Sequence, residues 1–262
     1  MACEENEVVK EGERILLVME DGSEYLIRLK KGTKFGTHLG VLNFDDLIGK
    51  KYGSSFLTTK GKKVYVIKPG IVENIMKMKR KTQIVYPKDM GYILLKLDIK
   101  EGDRVIDVGV GSGAMCGAIA RLVGRIGKVY GYDRREDFLK LAENNLKEWG
   151  LLDRVILKNK DISEGFDEKN VDALFLDVPN PWDHIDKCWE ALKGGGRIAI
   201  VCPTTNQVQE VLKILYKNPF INVEVWESLF RMYKPVHERF RPVDRMVAHT
   251  VYMIFAIKVF ER

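Results

Sequence analysis

The run Val105-Ile106-Asp107-Val108, followed at once by Gly109-Val110-Gly111-Ser112-Gly113-Ala114, most limits what this chain can fold into. Its apolar residues read as a buried strand, and the stretch over 114–123 has the spacing of a helix. Glycines at such a strand-to-helix turn let the backbone approach a ligand with no Cβ in the way, and they present N–H groups at a helix start. The turn therefore predicts a nucleotide-binding α/β sheet. Alone it also satisfies the dinucleotide fingerprint, so it leaves the cofactor open.

From about Ile71 onward the chain keeps the alternation that such a sheet demands. Apolar, β-branched runs predict strands over 104–108, 128–132, 155–158, 171–176, 197–201, 222–229 and 251–259. Helical spacing falls over 114–123, 135–150, 182–191 and 206–215, with Phe138, Leu141, Ala142 and Leu146 on one face. The expectation is an α/β fold with a seven-stranded Rossmann-like sheet whose last two strands form an antiparallel hairpin. Gly194-Gly195-Gly196 reads as a helix stop and tight turn into the fifth strand.

Upstream, the pattern is short and β-like. Strands are predicted over 14–19 and 25–29, joined at Glu20-Asp21-Gly22-Ser23, with another over 64–67. Two domains follow: a small β domain over 1–75, expected to contact RNA or another subunit, and a larger one over 76–262.

A length of 262 residues accommodates both. No stretch reads as a membrane helix, and the acidic first twenty residues do not resemble a secretory signal, which points to the cytoplasm. Cys3, Cys116, Cys188 and Cys202 are far apart with no CxxC pair, so no metal site is expected and they read as small hydrophobes. Net charge +6 favours an anionic partner. Six lysines and no acid lie over 50–68, and Arg231, Lys234, Arg239, Arg241 and Arg245 form a later group. A solvated basic surface is the plainer reading of both.

Asp133 closes the strand after the glycine turn, where a carboxylate can accept from ribose hydroxyls, although a turn or cap acid looks the same. Asp161 is placed to take the exocyclic amine of a bound adenine, or is simply a loop acid. The segment Leu176-Asp177-Val178-Pro179-Asn180-Pro181-Trp182 separates the cofactor readings. Hydride transfer has no use for an acid before a stiff double-proline loop, whereas methyl transfer to a flat base needs that base held and polarised. Asp177 bonded to the N6 amine of an adenine would raise electron density at N1 and offset the charge methylation creates. The plainer alternative is an acid bonded to backbone amides at a strand end. Phe230, Tyr233 and Phe240 interleave with arginines, as stacking on RNA bases or local packing would each require. His237 and His249 are read as structural rather than catalytic.

These motifs, with Gln83-Ile84-Val85-Tyr86-Pro87-Lys88-Asp89, Arg241-Pro242 and Arg245-Met246-Val247-Ala248-His249-Thr250, resemble the tRNA (adenine-58-N1)-methyltransferases, particularly the archaeal form. The resemblance spans nearly the whole chain. It implies a class I methyltransferase using S-adenosyl-L-methionine, with tRNA as partner, a homotetramer, and methylation at position 58 with 57 a second candidate. It also implies that Asp177 is catalytic and touches the cofactor, and that Val110 to Met115 (Gly111, Ser112, Gly113 and Ala114 between them), Asp133 and Asp161 contact the cofactor. Gln83 and Tyr86 would line the cofactor or base pocket. Many members carry Glu where this chain has Asp107 and Asp133, a shorter reach with the same charge. Two alternatives stand beside it: an isoaspartyl-type protein methyltransferase, which has no use for the basic clusters, and a non-catalytic tRNA-binding subunit, which has no need of Asp177.

Overall fold

The computed structural model describes residues 8–261, which divide between Met78 and Lys79 into two compact units. In the first unit, β1 (Arg14–Met19), β2 (Glu24–Arg28), β5 (Ser55–Leu57) and β6 (Lys63–Ile67) form an antiparallel sheet in the order β2-β1-β6-β5. A second hairpin of β3 (Lys34–Thr37) and β4 (Gly40–Asn43) and a short helix α1 (Ile71–Met76), both unanticipated, complete it. The β1–β2 turn closes through Met19 N–H donating to the Ser23 carbonyl at 2.8 Å, with Gly22 at φ +82°. Alternation does the folding here: Val64 and Val66 point into a core with Ile15, Leu17, Met19, Leu29 and Phe44, while Lys63, Tyr65 and Ile67 face out. All six lysines of 50–68 are exposed, with Lys62 paired to Glu20. Cys3 lies outside the described residues.

In the second unit, α2 (Pro87–Lys96) opens with proline at its first position, where the missing N–H has no helical partner to lose. Then follow β7 (Arg104–Val108), α3 (Ala114–Leu122), β8 (Lys128–Asp133), α4 (Glu136–Glu148), β9 (Val155–Asn159), β10 (Val171–Leu176), α5 (Ile185–Ala191), β11 (Leu192–Cys202), α6 (Thr205–Leu215), β12 (Phe220–Trp226), β13 (Tyr233–Lys234), β14 (Arg241–Pro242) and β15 (Tyr252–Lys258). The main sheet has seven strands in the order β12-β15-β11-β10-β7-β8-β9. β7 to β11 run parallel, and β15 enters antiparallel between β11 and β12. The central parallel strands β7 and β10 are buried on both faces, which is why they read as near-continuous apolar runs.

Two expectations need correction. The last two strands of the sheet do pair, Trp226 opposite Met253, but 25 residues over 227–251 join them, including the small β13–β14 ribbon. The triple glycine does not precede the fifth strand but sits inside it. Leu192 pairs with Val171 and Arg197 with Ala173, so the residues between bulge out, with Gly195 at φ +76°.

Register fixes where chemistry can occur. Val108 is level with Tyr132 on one side and Leu176 on the other, and Asp133 is level with Asn159. The residues that follow each strand therefore emerge along one carboxyl edge, where ligands sit in open α/β sheets. Cys116, Cys188 and Cys202 are buried and unpaired. Among the described residues no helix is long and apolar enough to cross a membrane, and no His, Cys, Asp and Glu cluster could hold a metal.

Candidate active site

Along that edge of the second unit lies a cavity of about 1010 Å³, lined by Gln83, Tyr86, Gly109, Val110, Gly111, Ser112, Ala114, Met115, Asp133, Asp161 and Asp177, among others. The cavity thus gathers every residue expected to contact the cofactor or the reacting base except Gly113. At φ +88° Gly113 starts α3, and a Cβ there would lie 3.1 Å from the Cβ of Ala142, so the glycine serves packing against α4. Asp107 is also off the cavity wall, 1% exposed behind the turn, with the Cys116 thiol beside it. Burial first, then the nearby Asp177 and Asp133, push its pKa up to about 8, so it keeps its proton at neutral pH.

The loop after β7 is held from both sides. Asp133 Oδ2 accepts from Gly111 N–H at 2.9 Å and Oδ1 accepts from Arg135 N–H at 2.9 Å. Each oxygen keeps lone-pair capacity for one further donor in the cavity. Asn145 Nδ2 donates to the Ser112 carbonyl at 2.9 Å and the Lys79 carbonyl at 3.0 Å, fixing the far end of the loop. Asp161 caps a short turn by accepting from Ser163 N–H at 2.9 Å through Oδ1. That bond holds its pKa below the usual carboxylate range, and its Oδ2 is left for a donor.

Asp177 begins where β10 ends. Its N–H donates to the Val108 carbonyl at 2.9 Å, which aligns it with the glycine turn. Its side chain is solvent-accessible on the cavity wall. Desolvation by the surrounding protein atoms disfavours the charged form and pushes the pKa up to about 6. No hydrogen bond accompanies that shift, so the carboxylate is not engaged by backbone amides at the strand end. The loop beyond is braced: Pro181 starts a short helical turn, Trp182 packs against the core, and Gln207 Nε2 donates to the Pro179 carbonyl at 3.0 Å.

Other wall residues were not among the expected site residues, although Val247, His249 and Thr250 belong to the late motif that carries the resemblance. Val247, His249, Thr250 and Val251, from the connection between β12 and β15, reach the same cavity, as does His184. His249 donates from Nδ1 to Glu227 Oε1 at 2.7 Å and from Nε2 to the Pro203 carbonyl at 2.9 Å. Two acceptors raise its pKa, the Pro203 carbonyl most and Glu227 next, and occupy both ring nitrogens.

The sheet order and this strand-edge cavity define a class I S-adenosylmethionine-dependent methyltransferase. Residues 62–250 match the tRNA methyltransferase complex GCD14 subunit family and residues 8–55 the TrmI-like N-terminal domain, and the chain belongs to this tRNA methyltransferase family. It is 33% identical to the tRNA (adenine(57)-N(1)/adenine(58)-N(1))-methyltransferase TrmI of Methanocaldococcus jannaschii, over 92% of this chain and 93% of the relative. A crystal structure of tRNA (m1A58) methyltransferase TrmI from Aquifex aeolicus superposes with TM-score 0.85 at 36% identity, covering 96% of this chain and 99% of that one. A Thermotoga maritima structure described as a SAM-dependent O-methyltransferase gives TM-score 0.94 at 63% identity, covering 98% and 97%.

Proposed function

We infer that the chain methylates N1 of an adenine in tRNA, with S-adenosylmethionine in the cavity and Asp177 at the reacting base. The observation that carries this reading is Asp177: a carboxylate with no hydrogen-bonded partner, recessed at a strand end, level with the glycine turn. The cavity's donor and acceptor set fits the cofactor. Gly109 and Gly111 bring backbone to the cavity wall, Asp133 has acceptor capacity for ribose hydroxyls, and Asp161 Oδ2 suits an exocyclic amine.

When bound, S-adenosylmethionine supplies an electrophilic methyl group on a positively charged sulfur. Asp177 accepts a hydrogen bond from the adenine N6 amine, which pushes electron density toward N1. The N1 lone pair forms the new bond to carbon, and the electron pair of the broken S–C bond stays on sulfur. The ring becomes cationic, and Asp177 offsets that charge or takes the N6 proton. Gln83 and Tyr86 hold the base or cofactor in this scheme.

Labelled methyl transfer to an unmodified tRNA transcript, followed by nucleoside analysis, tests the reading. The expected product is 1-methyladenosine. A 2′-O-methyl nucleoside, or label entering only protein, would overturn the N1 assignment and leave the fold class standing.

Because Asp177 must be ionised to act, kcat/KM is expected to climb about tenfold per pH unit below about 6 and to level above it. A flat profile down to pH 4 would remove Asp177 from the proton-accepting role. We also read the enzyme as a cytoplasmic homotetramer that grips tRNA between subunits. Exposed Ile221, Val225 and Trp226 on the edge strand β12 support subunit contact, and a light-scattering mass near that of one chain would refute it.

A further inference from the structure

The connection between β12 and β15 leaves the sheet at Trp226 and returns at Tyr252, and it begins and ends on one buried ion pair. Asp89, in the first turn of α2, has no exposed surface, and Lys88 Nζ donates to its Oδ1 at 2.8 Å with a side chain 12% exposed. Ser228, two residues beyond β12, donates from Oγ to Asp89 Oδ1 at 2.6 Å, while its carbonyl accepts from Lys88 Nζ at 2.9 Å. Thr250, two residues before β15, donates from Oγ1 to Asp89 Oδ2 at 2.6 Å and accepts from Lys88 Nζ at 2.6 Å. Both carboxylate oxygens and the ammonium are thus engaged by the two ends of the connection. Such a closed, partly buried network favours one geometry, because loss of any member leaves a charged or polar group short of a partner.

The 21 residues between, Leu229 to His249, form an arm with little burial of its own. Leu229, Phe230, Met232, Phe240 and Val247 are each at least 60% exposed. The arm is nonetheless ordered locally: β13 pairs with β14, Tyr233 stacks on Phe240 at 5.0 Å between ring centroids, and Asp244 bridges Lys234 and Arg241. Its return limb brings Val247 and His249 to the cavity wall.

We propose that Lys88, Asp89, Ser228 and Thr250 form a latch that positions this arm over the cavity, so that they govern presentation of the methyl acceptor and not cofactor binding. The proposal rests on the tRNA methylation reading. Ser228 is not on the cavity wall, so an effect of its hydroxyl on the reaction must pass through the latch. Asp89 and Thr250 do line the cavity, but none of the four hydrogen-bonds to the glycine turn, Asp133 or Asp161.

The test uses the full chain with Ser228→Ala, Thr250→Val and the hydroxyl-retaining Thr250→Ser. At saturating cofactor, Ser228→Ala and Thr250→Val are expected to lower kcat/KM for tRNA by about tenfold or more, since displacements near 1 Å cost that much or more. Thr250→Ser restores most of the loss. The Kd for S-adenosylmethionine by calorimetry stays within about twofold of wild type, and amide hydrogen exchange over 229–249 quickens. Unchanged kcat/KM in both deletion variants, or cofactor affinity falling in parallel, overturns the proposal. If the wild-type protein does not methylate tRNA, the functional reading fails on its own account. Exchange then decides the latch: unaltered protection over 229–249 in Thr250→Val refutes it, and faster exchange sustains it.

Discussion

Asp177→Ala is expected to slow methyl transfer to tRNA by roughly 10²- to 10⁴-fold, the range over which positioned acid–base groups act. Binding of S-adenosylmethionine should weaken only a few-fold, because the bonds that shape the cofactor half run through Asp133 and Asn145. The N–H of residue 177 and its bond to the Val108 carbonyl survive the substitution, so the glycine turn keeps its support. Asp177→Asn sharpens the point. The amide keeps an oxygen that can accept from an N6 amine but carries no charge, so it should recover part of the orientation and none of the offset to the cationic ring. Single-turnover rates with saturating cofactor separate these effects. A full wild-type rate in either variant would move the catalytic role elsewhere, and loss of cofactor binding in both would make Asp177 a binding residue.

Gly109→Ala should be the most damaging single-methyl change in the second unit. An added Cβ would lie 1.9 Å from the Asp177 carbonyl oxygen, at φ +83°, where side chains are strained even in open space. The opposing atom is backbone of an adjacent central strand and cannot swing aside, so β7 and β10 must part or the turn must refold. Overpacking and positive-φ strain together cost on the order of 3 kcal/mol or more. The same displacement moves Asp177, so activity falls even in whatever fraction folds. Gly91→Ala is the natural control. It lies in α2 with an ordinary φ and nothing within 4 Å of the new Cβ, so it should stabilise the fold by about 0.5–1 kcal/mol. Urea denaturation of the two variants checks both signs. Equal, small effects would mean that the turn tolerates a side chain and that its glycines answer to the ligand alone.

What could be read from sequence follows from how far apart the interacting residues lie. Strands β7 and β10 were legible because parallel strands buried on both faces appear as unbroken apolar runs. The glycine turn announced itself within ten residues. Gly113 looked like its neighbours, yet its partner is Ala142 on another helix, a contact no local pattern encodes. α2 was missed because Pro87 and Gly91 interrupt its helical signal, although proline at a first position is favourable. The Gly194 to Gly196 run had the composition of a turn, and only pairing with Val171 and Ala173 made it a bulge within a strand. The latch was out of reach entirely, since Lys88 meets Ser228 and Thr250 across 140 and 162 positions.

Placing β15 between β11 and β12 has a further consequence, for how such a protein can change over generations. Because the arm departs and returns at neighbouring points, it is topologically an insert: residues can be gained, lost or exchanged within it without re-registering any strand. Lengthening a closed loop is cheap, about 0.6 kcal/mol per doubling. The parallel strands that carry the glycine turn, Asp133 and Asp177 have no such freedom, since a one-residue slip turns every side chain to the opposite face. The chain therefore joins a part that mutation can revise by increments to a part that must be inherited whole.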